Sequence, residues 1–308
     1  MTRVLMLIRG KYKAPVNCVA RSLSEKGVVF HVLKIRKLSY VLGAEVSGVD
    51  ITKSLTDETF RGIHHAFLEH SILLFRGQSL TREHHVAFSR RFGELDKNDV
   101  LRNDAHIRNR DSGFPEISVN NPGPNPKPSD YSGQYWHSDR SNTCTPALAS
   151  LLRGVEVPPV GGDTMFSNMY LAYESLTAGM KKLIEGLYGV HSPLKAHHTN
   201  KSPRVAHSLV KVHPETGRKS LYIGDKVIQL VGMTVEESAP VIHFLCNHAA
   251  RPQFVYRHRW RQDDLLVWDN RCTNHNAVGD YDKTQTRHME RTTVMGEPSG
   301  YVYEGPPQ

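Results

Sequence analysis

The chain has 308 residues, 39% hydrophobic and 23% charged, which suits one large globular domain or two ordinary ones and excludes disordered and fibrous classes. No apolar run reaches the roughly 18 residues of a transmembrane helix, and the scattered Cys18, Cys144, Cys246 and Cys272 include no CxxC pair. A disulfide scaffold and a zinc ribbon are therefore not expected, and a reducing, cytoplasmic setting is. Nine of the 39 basic residues but one of the 31 acidic residues fall in residues 1–40, which leaves 30 of each elsewhere and makes the net charge of +8 a local feature. So balanced a body predicts neither a nucleic-acid footprint nor membrane attachment.

Residues 1–33 read as a basic extension. Their apolar run, Val4–Ile8, is too short for a secretory signal, and an organellar transit peptide would carry more Ser and a longer amphipathic pattern. One domain is expected over residues 34–297, with a short tail at 298–308. Ser54-Leu-Thr-Asp57 has capping-box spacing before a helix whose Phe60, Ile63, Phe67 and Leu68 share a face. Ser71–Phe75 reads as a buried strand and Thr81–Arg91 as a second helix. Residues 96–133 form a long loop with Pro122, Pro124, Pro126 and Pro128 and an embedded strand at Glu116–Val119; loops of this length are usually functional, and the Pro-rich part suits a lid. Residues 168–189 predict one helix, with Tyr170, Tyr173, Leu176, Met180, Leu183 and Leu187 on its inner face. Residues 192–211 read as loop. Thr234-Val-Glu-Glu237 opens a helix to about Ala250, and Phe254–Trp260, Leu265–Trp268 and Thr292–Met295 read as strands. This order predicts an α+β fold built on a closed or sandwiched sheet.

The chemistry concentrates in Trp136-His-Ser-Asp139. On a strand, His137 and Asp139 would point to one face. A neutral imidazole and a carboxylate are two ligands for a divalent metal, and His275 is the best candidate for a third. Two His and one carboxylate form the facial set of non-haem Fe(II) oxygenases, although a zinc hydrolase could use the same residues. Iron needs electrons to activate O2, and a 2-oxo acid can supply them. Its far carboxylate would call for a guanidinium. Arg287 and Arg291 follow His275, and Thr164, in Gly161-Gly-Asp-Thr164, could add a hydroxyl. The adjacent pairs His64/His65, His84/His85 and His197/His198 cannot share a face and read as structural or surface residues.

Taken together these motifs make the chain resemble the TauD/TfdA family of Fe(II)- and 2-oxoglutarate-dependent dioxygenases. The resemblance runs from about Lys34 to Glu297 and is carried by Leu42–Asp50, Phe88-Ser-Arg-Arg-Phe-Gly-Glu94, Trp136–Asp139, Gly161–Thr164, His213-Pro-Glu-Thr-Gly-Arg218, Trp268-Asp-Asn-Arg271 and Arg287–Thr292. It implies a double-stranded β-helix, or jelly roll, with flanking helices. It implies His137, Asp139 and His275 as iron ligands, Thr164 and Arg287 as partners of 2-oxoglutarate, and Arg291 near cosubstrate or substrate. The family reaction consumes O2, releases succinate and CO2 and hydroxylates a small organic molecule, with ascorbate as an aid in vitro; members are often dimers or tetramers. Taurine dioxygenases place a sulfonate-binding His after the Phe-Gly-Glu motif. Here Glu94 is followed by Leu-Asp-Lys-Asn-Asp99, which argues against taurine, and the intact Asp139 argues against a halogenase. An inactive jelly-roll binding protein is the remaining alternative; the intact His and Asp set weighs against it.

Overall fold

The computed structural model describes residues 33–97, 113–121, 133–192 and 203–305. The chain opens with β1 (Lys34–Lys37) and β2 (Ala44–Ser47), then α1 (Asp57–His70), β3 (Ile72–Phe75), α2 (Arg82–Ser89) and β4 (Ser118–Asn120). β5 (Ala147–Glu156) and β6 (Thr164–Asn168) precede α3 (Met169–Glu174) and α4 (Ala178–Ile184). Next come β7 (Tyr188–His191), β8 (Val205–Ser208), β9 (Val210–Val212), β10 (Lys219–Leu221), β11 (Val227–Leu230) and α5 (Val235–Ala249). β12 (Val255–His258), β13 (Leu265–Asp269), β14 (Thr273–Ala277), β15 (His288–Met295) and β16 (Tyr301–Val302) complete the series.

A seven-stranded sheet in the order β1-β2-β3-β13-β5-β15-β4 forms one wall. Its pairs are antiparallel except β2 with β3. Opposite it stand β12-β6-β14 and β11-β7-β8-β16, with β9 and β10 as a hairpin. Strand alternation gives the large sheet two apolar faces. Leu73, Phe75, Leu151, Leu265 and Val267 pack with Ile63 and Phe67 of α1 and Val86 and Phe88 of α2. On the other face Ile72, Leu74, Leu266 and Trp268 meet Phe166 of β6. Fully burying side chains of this size contributes about 1.5–3 kcal/mol each before entropy. This is the jelly-roll core with outer helices that the resemblance implies.

Several local expectations shift. The cap of α1 is Thr56, whose hydroxyl accepts from Thr59 N, and not Ser54. The capping box at Thr234 and Glu237 is present on α5. Residues 168–189 do not form one helix: Asn168 caps α3, Ser175 ends it, Thr177 caps α4, and Gly186 at φ +75° turns the chain into β7. Hydroxyl side chains at 175 and 177 compete for backbone groups, so the apolar spacing spans two short helices instead. In α4 Ile184 is buried and Leu183 is 50% exposed, the reverse of the expected face. Two strands, β8 and β9, occupy residues assigned to loop. Phe254 sits in a 3-10 turn, so β12 begins one residue later, and the embedded strand is Ser118–Asn120. Leu33 packs against the α1 core, and residues 298–305 include β16, paired with β8. The rest of the expected extension, the Pro-rich lid residues 122–132 and the pair His197/His198 lie outside the described residues.

Candidate active site

The site forms where β14 and the segment before β5 meet. His137 and His275 bridge through two backbone hydrogen bonds, His137 N to His275 O at 3.0 Å and His275 N to His137 O at 2.8 Å. Asp139 lies in the turn that follows, with Arg140 at φ +55°. The pair is thus not carried by a strand, as its spacing predicts. The turn, and not alternation, swings the carboxylate back under the rings.

Nε2 of His137 is 3.8 Å from Asp139 Oδ1, and Nε2 of His275 is 3.8 Å from Asp139 Oδ2. One ligand atom from each residue lies within 4.8 Å of the others. These separations are too long for hydrogen bonds and suit three donors turned toward one ion. The His137 Nδ1–H donates to Tyr135 O at 2.8 Å, which leaves the Nε2 lone pair facing the site. Burial holds His137 well below the usual imidazole range, helped by the neighbouring His275, and holds His275 at about 4. Both rings are therefore neutral near pH 7. Burial opposes the Asp139 charge, but the Arg291 guanidinium, aided by the Ser150 hydroxyl, outweighs it and keeps the carboxyl ionised well below its ordinary range. Two neutral imidazoles and one carboxylate fit a divalent iron.

Asp139 is tightly held. Arg291 Nη1 donates to Oδ1 at 2.8 Å and Ser150 Oγ to Oδ2 at 2.6 Å. Asn270 Nδ2 donates to Ser150 Oγ at 2.9 Å, and Asn270 Oδ1 accepts from Asp139 N and from Trp268 Nε1, each at 3.1 Å. Register explains the convergence: Ser150 of β5 lies opposite Trp268 of β13 and Thr293 of β15, two residues from Arg291. Trp268 also sets its ring, tilted, 4.9 Å from that of His275. Ser150 carries no sequence signal of its own, whereas Asn270 stands in the Trp268-Asp-Asn-Arg271 motif.

The sheet β6–β14 places His275 opposite Phe166 and Ala277 opposite Thr164. Thr164 and His275 therefore share one face. The Thr164 hydroxyl accepts from Trp260 Nε1 at 3.0 Å. Arg287 is 7% exposed and donates through Nε to Gly162 O at 3.0 Å; its Nη groups have no hydrogen bond among the described residues. Burial lowers its pKa. A Cβ on Gly162, at φ +69°, would lie 3.2 Å from Arg287 Nε, so the glycine is what lets this guanidinium approach. Arg287 precedes β15, and a register shift separates it from Arg291. The two arginines therefore do not share a face by alternation: one turns to Gly162, the other to Asp139.

A second cluster, His213, Asp269 and Cys272, also brings metal-type ligands together. Its carboxylate is spent on protein: Arg271 Nη2 donates to Asp269 Oδ2 at 2.7 Å and His213 Nε2 at 3.0 Å. His213 Nδ1 accepts from Glu215 N and Thr216 N, which fixes the turn of the His-Pro-Glu-Thr-Gly motif. Burial pushes the Cys272 thiol upward, away from the thiolate a metal needs. Of the adjacent His pairs, His85 is a buried residue bonded to Leu151 O, and His84 belongs to the α2 cap.

Two neutral imidazoles and a carboxylate inside a jelly roll match the donor set of non-haem iron oxygenases. A family model described as "Taurine catabolism dioxygenase TauD, TfdA family" matches residues 34–293. The chain is 33% identical over 275 residues to the alpha-ketoglutarate-dependent 2,4-dichlorophenoxyacetate dioxygenase of Cupriavidus pinatubonensis, covering 83% of this chain and 96% of that one. It is 33% identical over 284 residues to an alkylsulfatase of Acinetobacter baylyi, covering 86% of each. The crystal structure of a taurine dioxygenase from Burkholderia xenovorans superposes with a TM-score of 0.76 at 35% identity, over 89% of this chain and 97% of that one. That of AAD-2 with Mn(II) and N-oxalylglycine superposes with a TM-score of 0.75 at 31% identity, over 87% and 98%. The chain belongs to the TauD/TfdA family of Fe(II)- and 2-oxoglutarate-dependent dioxygenases.

Proposed function

We propose that this dioxygenase hydroxylates a small organic anion, a carboxylate, a sulfate ester or a sulfonate, with His137, Asp139 and His275 as the iron ligands. The observation that carries the reading is the convergence of one donor atom from each of these residues within 4.8 Å in a buried site. Bound there, the iron supplies O2 activation, with electrons drawn from 2-oxoglutarate as it becomes succinate and CO2. The protein supplies position. Tyr135 O fixes the His137 tautomer, and Ser150 and Arg291 fix Asp139. Arg287 offers its Nη groups, and Thr164 its hydroxyl, to the far carboxylate of 2-oxoglutarate. AAD-2 was crystallised with Mn(II) and N-oxalylglycine, an oxo-acid ligand of similar shape.

Charge supports an anionic substrate. Two cations, Arg291 and Lys226, act on the one buried carboxylate of Asp139. A ferrous ion and the 2-oxoglutarate dianion cancel, so one further anion is electrostatically matched. The named relatives act on 2,4-dichlorophenoxyacetate, (S)-phenoxypropionate and sulfate esters. Zinc hydrolysis and an inactive binding protein, both open from the residues alone, gain no supporting observation. The test is anaerobic addition of Fe(II), ascorbate and 2-oxoglutarate. The metal-to-ligand charge-transfer band in the visible should form in the wild type and be lost in His137→Ala; a band that survives His137→Ala overturns the ligand assignment. Substrate-stimulated succinate release across a panel of such acids then tests the substrate class.

A further inference from the structure

Beside the iron ligands lies a pocket that the reaction as described leaves unused. It is lined by His137 and Asn274 on one side and by His191, Tyr222 and Lys226 on the other. Lys226 is 9% exposed. Its ammonium donates to one neutral group, Asn142 Oδ1 at 3.3 Å, and no carboxylate pairs with it among the described residues. An isolated buried cation is strongly unfavourable unless something compensates it. His191 is 2% exposed, and neither ring nitrogen has a hydrogen-bond partner. The Tyr222 hydroxyl also lines the pocket and lies within reach of Ser138. Two buried polar groups, Lys226 and His191, therefore face one small space with hydrogen-bonding capacity unspent, and satisfied polar groups are the rule in protein interiors.

The backbone holds Lys226 there firmly. Trp136 N donates to Asp225 Oδ2 at 2.7 Å, and Asp225 N to Trp136 O at 2.8 Å, which clamps the loop before β11 onto the segment that carries His137. Asn274, next to His275, bonds Ile223 O. Gly224 allows the contact: a Cβ would fall 2.7 Å from Trp136 O. The position of Lys226 is thus fixed by both segments that hold the imidazoles. Arg291, the other cation reaching Asp139, is already engaged by it at 2.8 Å.

We propose that Lys226 binds the anionic group of the primary substrate, with His191 as a hydrogen-bond donor to the same group. This rests on the reading of the substrate as a small organic anion. The geometry then explains why a cation is kept in so desolvated a place: the ligand completes it, and the reacting carbon is held on the iron side of the pocket. A charge-assisted hydrogen bond in such a site distinguishes an acid from its neutral analogue far more strongly than a solvated contact would.

The test uses the holoenzyme with Fe(II) and 2-oxoglutarate, kept anaerobic, and two matched probe pairs: 2,4-dichlorophenoxyacetate with 2,4-dichlorophenoxyethanol, and hexyl sulfate with hexanol. Equilibrium dialysis gives the affinity of each. The wild type is expected to prefer the anion of at least one pair tenfold or more. Lys226→Met should erase that preference while leaving the alcohol within twofold. A preference that survives Lys226→Met overturns the proposal. A wild type indifferent to charge in both pairs overturns the anionic-substrate reading, and this proposal with it, so the two failures are distinct. The visible charge-transfer band checks that each variant still holds iron and 2-oxoglutarate. If Lys226→Met lacks the band, Lys226→Gln, neutral but able to donate to Asn142, replaces it under the same criteria.

Discussion

Arg291 and Asp139 form a 2.8 Å ion pair directly on the carboxylate that faces the two imidazoles. The guanidinium is 30% exposed and the carboxylate 7% exposed, so Arg291 is the main compensation for a buried charge when no metal is bound. Removing it with Arg291→Leu should destabilise the metal-free protein by about 1–2 kcal/mol, less than for a fully buried pair because of the solvent exposure. A divalent ion supplies the missing positive charge. Thermal unfolding with and without Mn(II) should therefore show a larger metal-induced rise in Tm for Arg291→Leu than for the wild type. Equal rises would mean that Arg291 does not carry the Asp139 charge.

Ser150 holds the other oxygen of Asp139 at 2.6 Å and is itself held by Asn270. Ser150→Ala leaves the three ligand types intact but frees the carboxylate to rotate. Such changes behind a ligand typically cost about 10- to 100-fold in metal affinity. Competition against a fluorescent chelator should register that loss, with a stability change of about 1 kcal/mol. Unchanged affinity would show that the Asp139 orientation is set by Arg291 alone.

Ser150 also marks where the sequence stops being legible. His137, Asp139, Thr164, His275 and the two arginines stand in short motifs whose spacing is local, so they can be picked out without a fold. Ser150 and Lys226 cannot. Ser150 is an ordinary strand serine until the β5–β13 and β5–β15 registers set it opposite Trp268 and Thr293, partners more than a hundred residues away. Lys226 follows Gly-Asp and reads as a solvated turn; only the Trp136–Asp225 clamp buries it. The helix expected over residues 168–189 failed for a related reason. Apolar periodicity reports which face is buried, whereas Ser175 and Thr177 decide where the backbone is interrupted.

His85 predicts an acid limb of stability independent of metal. It is fully buried, bonded to Leu151 O, and burial holds it at about 4. The unfolded value is about 6.5, so between these values the unfolded chain carries a proton that the folded one excludes. Stability from this group is complete above pH 6.5 and is lost as pH falls toward 4, at about 1.4 kcal/mol per pH unit. Urea midpoints measured from pH 7 to pH 4.5 should fall accordingly, and His85→Gln should flatten that slope whatever its effect at pH 7. An unchanged slope would locate the titration elsewhere.

The cluster of His213, Asp269 and Cys272 should bind no metal, because both Asp269 oxygens are taken by Arg271 and His213. Metal analysis of the reconstituted protein should give one ion per chain, and Cys272→Ser should leave that unchanged. Asp269→Asn removes a buried charge from its partners and should destabilise by about 3 kcal/mol, again with no change in stoichiometry. A second ion lost in Cys272→Ser would show that the cluster is a metal site.

If Arg287 holds 2-oxoglutarate as proposed, Gly162 links the turn before β6 to cosubstrate binding. At φ +69° a side chain there is strained, and its Cβ would lie 3.2 Å from Arg287 Nε and 3.3 Å from Arg287 Cδ and Pro158 Cγ. The left-handed conformation alone costs about 1–2 kcal/mol for a residue with a Cβ. The rest of the effect falls on Arg287, which must move from Gly162 O and take its Nη groups with it. Because His137, Asp139 and His275 are held by other elements, Gly162→Ala should keep metal affinity while the KM for 2-oxoglutarate rises about tenfold, the loss of roughly one charge-assisted hydrogen bond. Titrating the charge-transfer band with 2-oxoglutarate measures this directly. If Fe(II) affinity falls instead and the cosubstrate titration is unchanged, Arg287 does not hold 2-oxoglutarate.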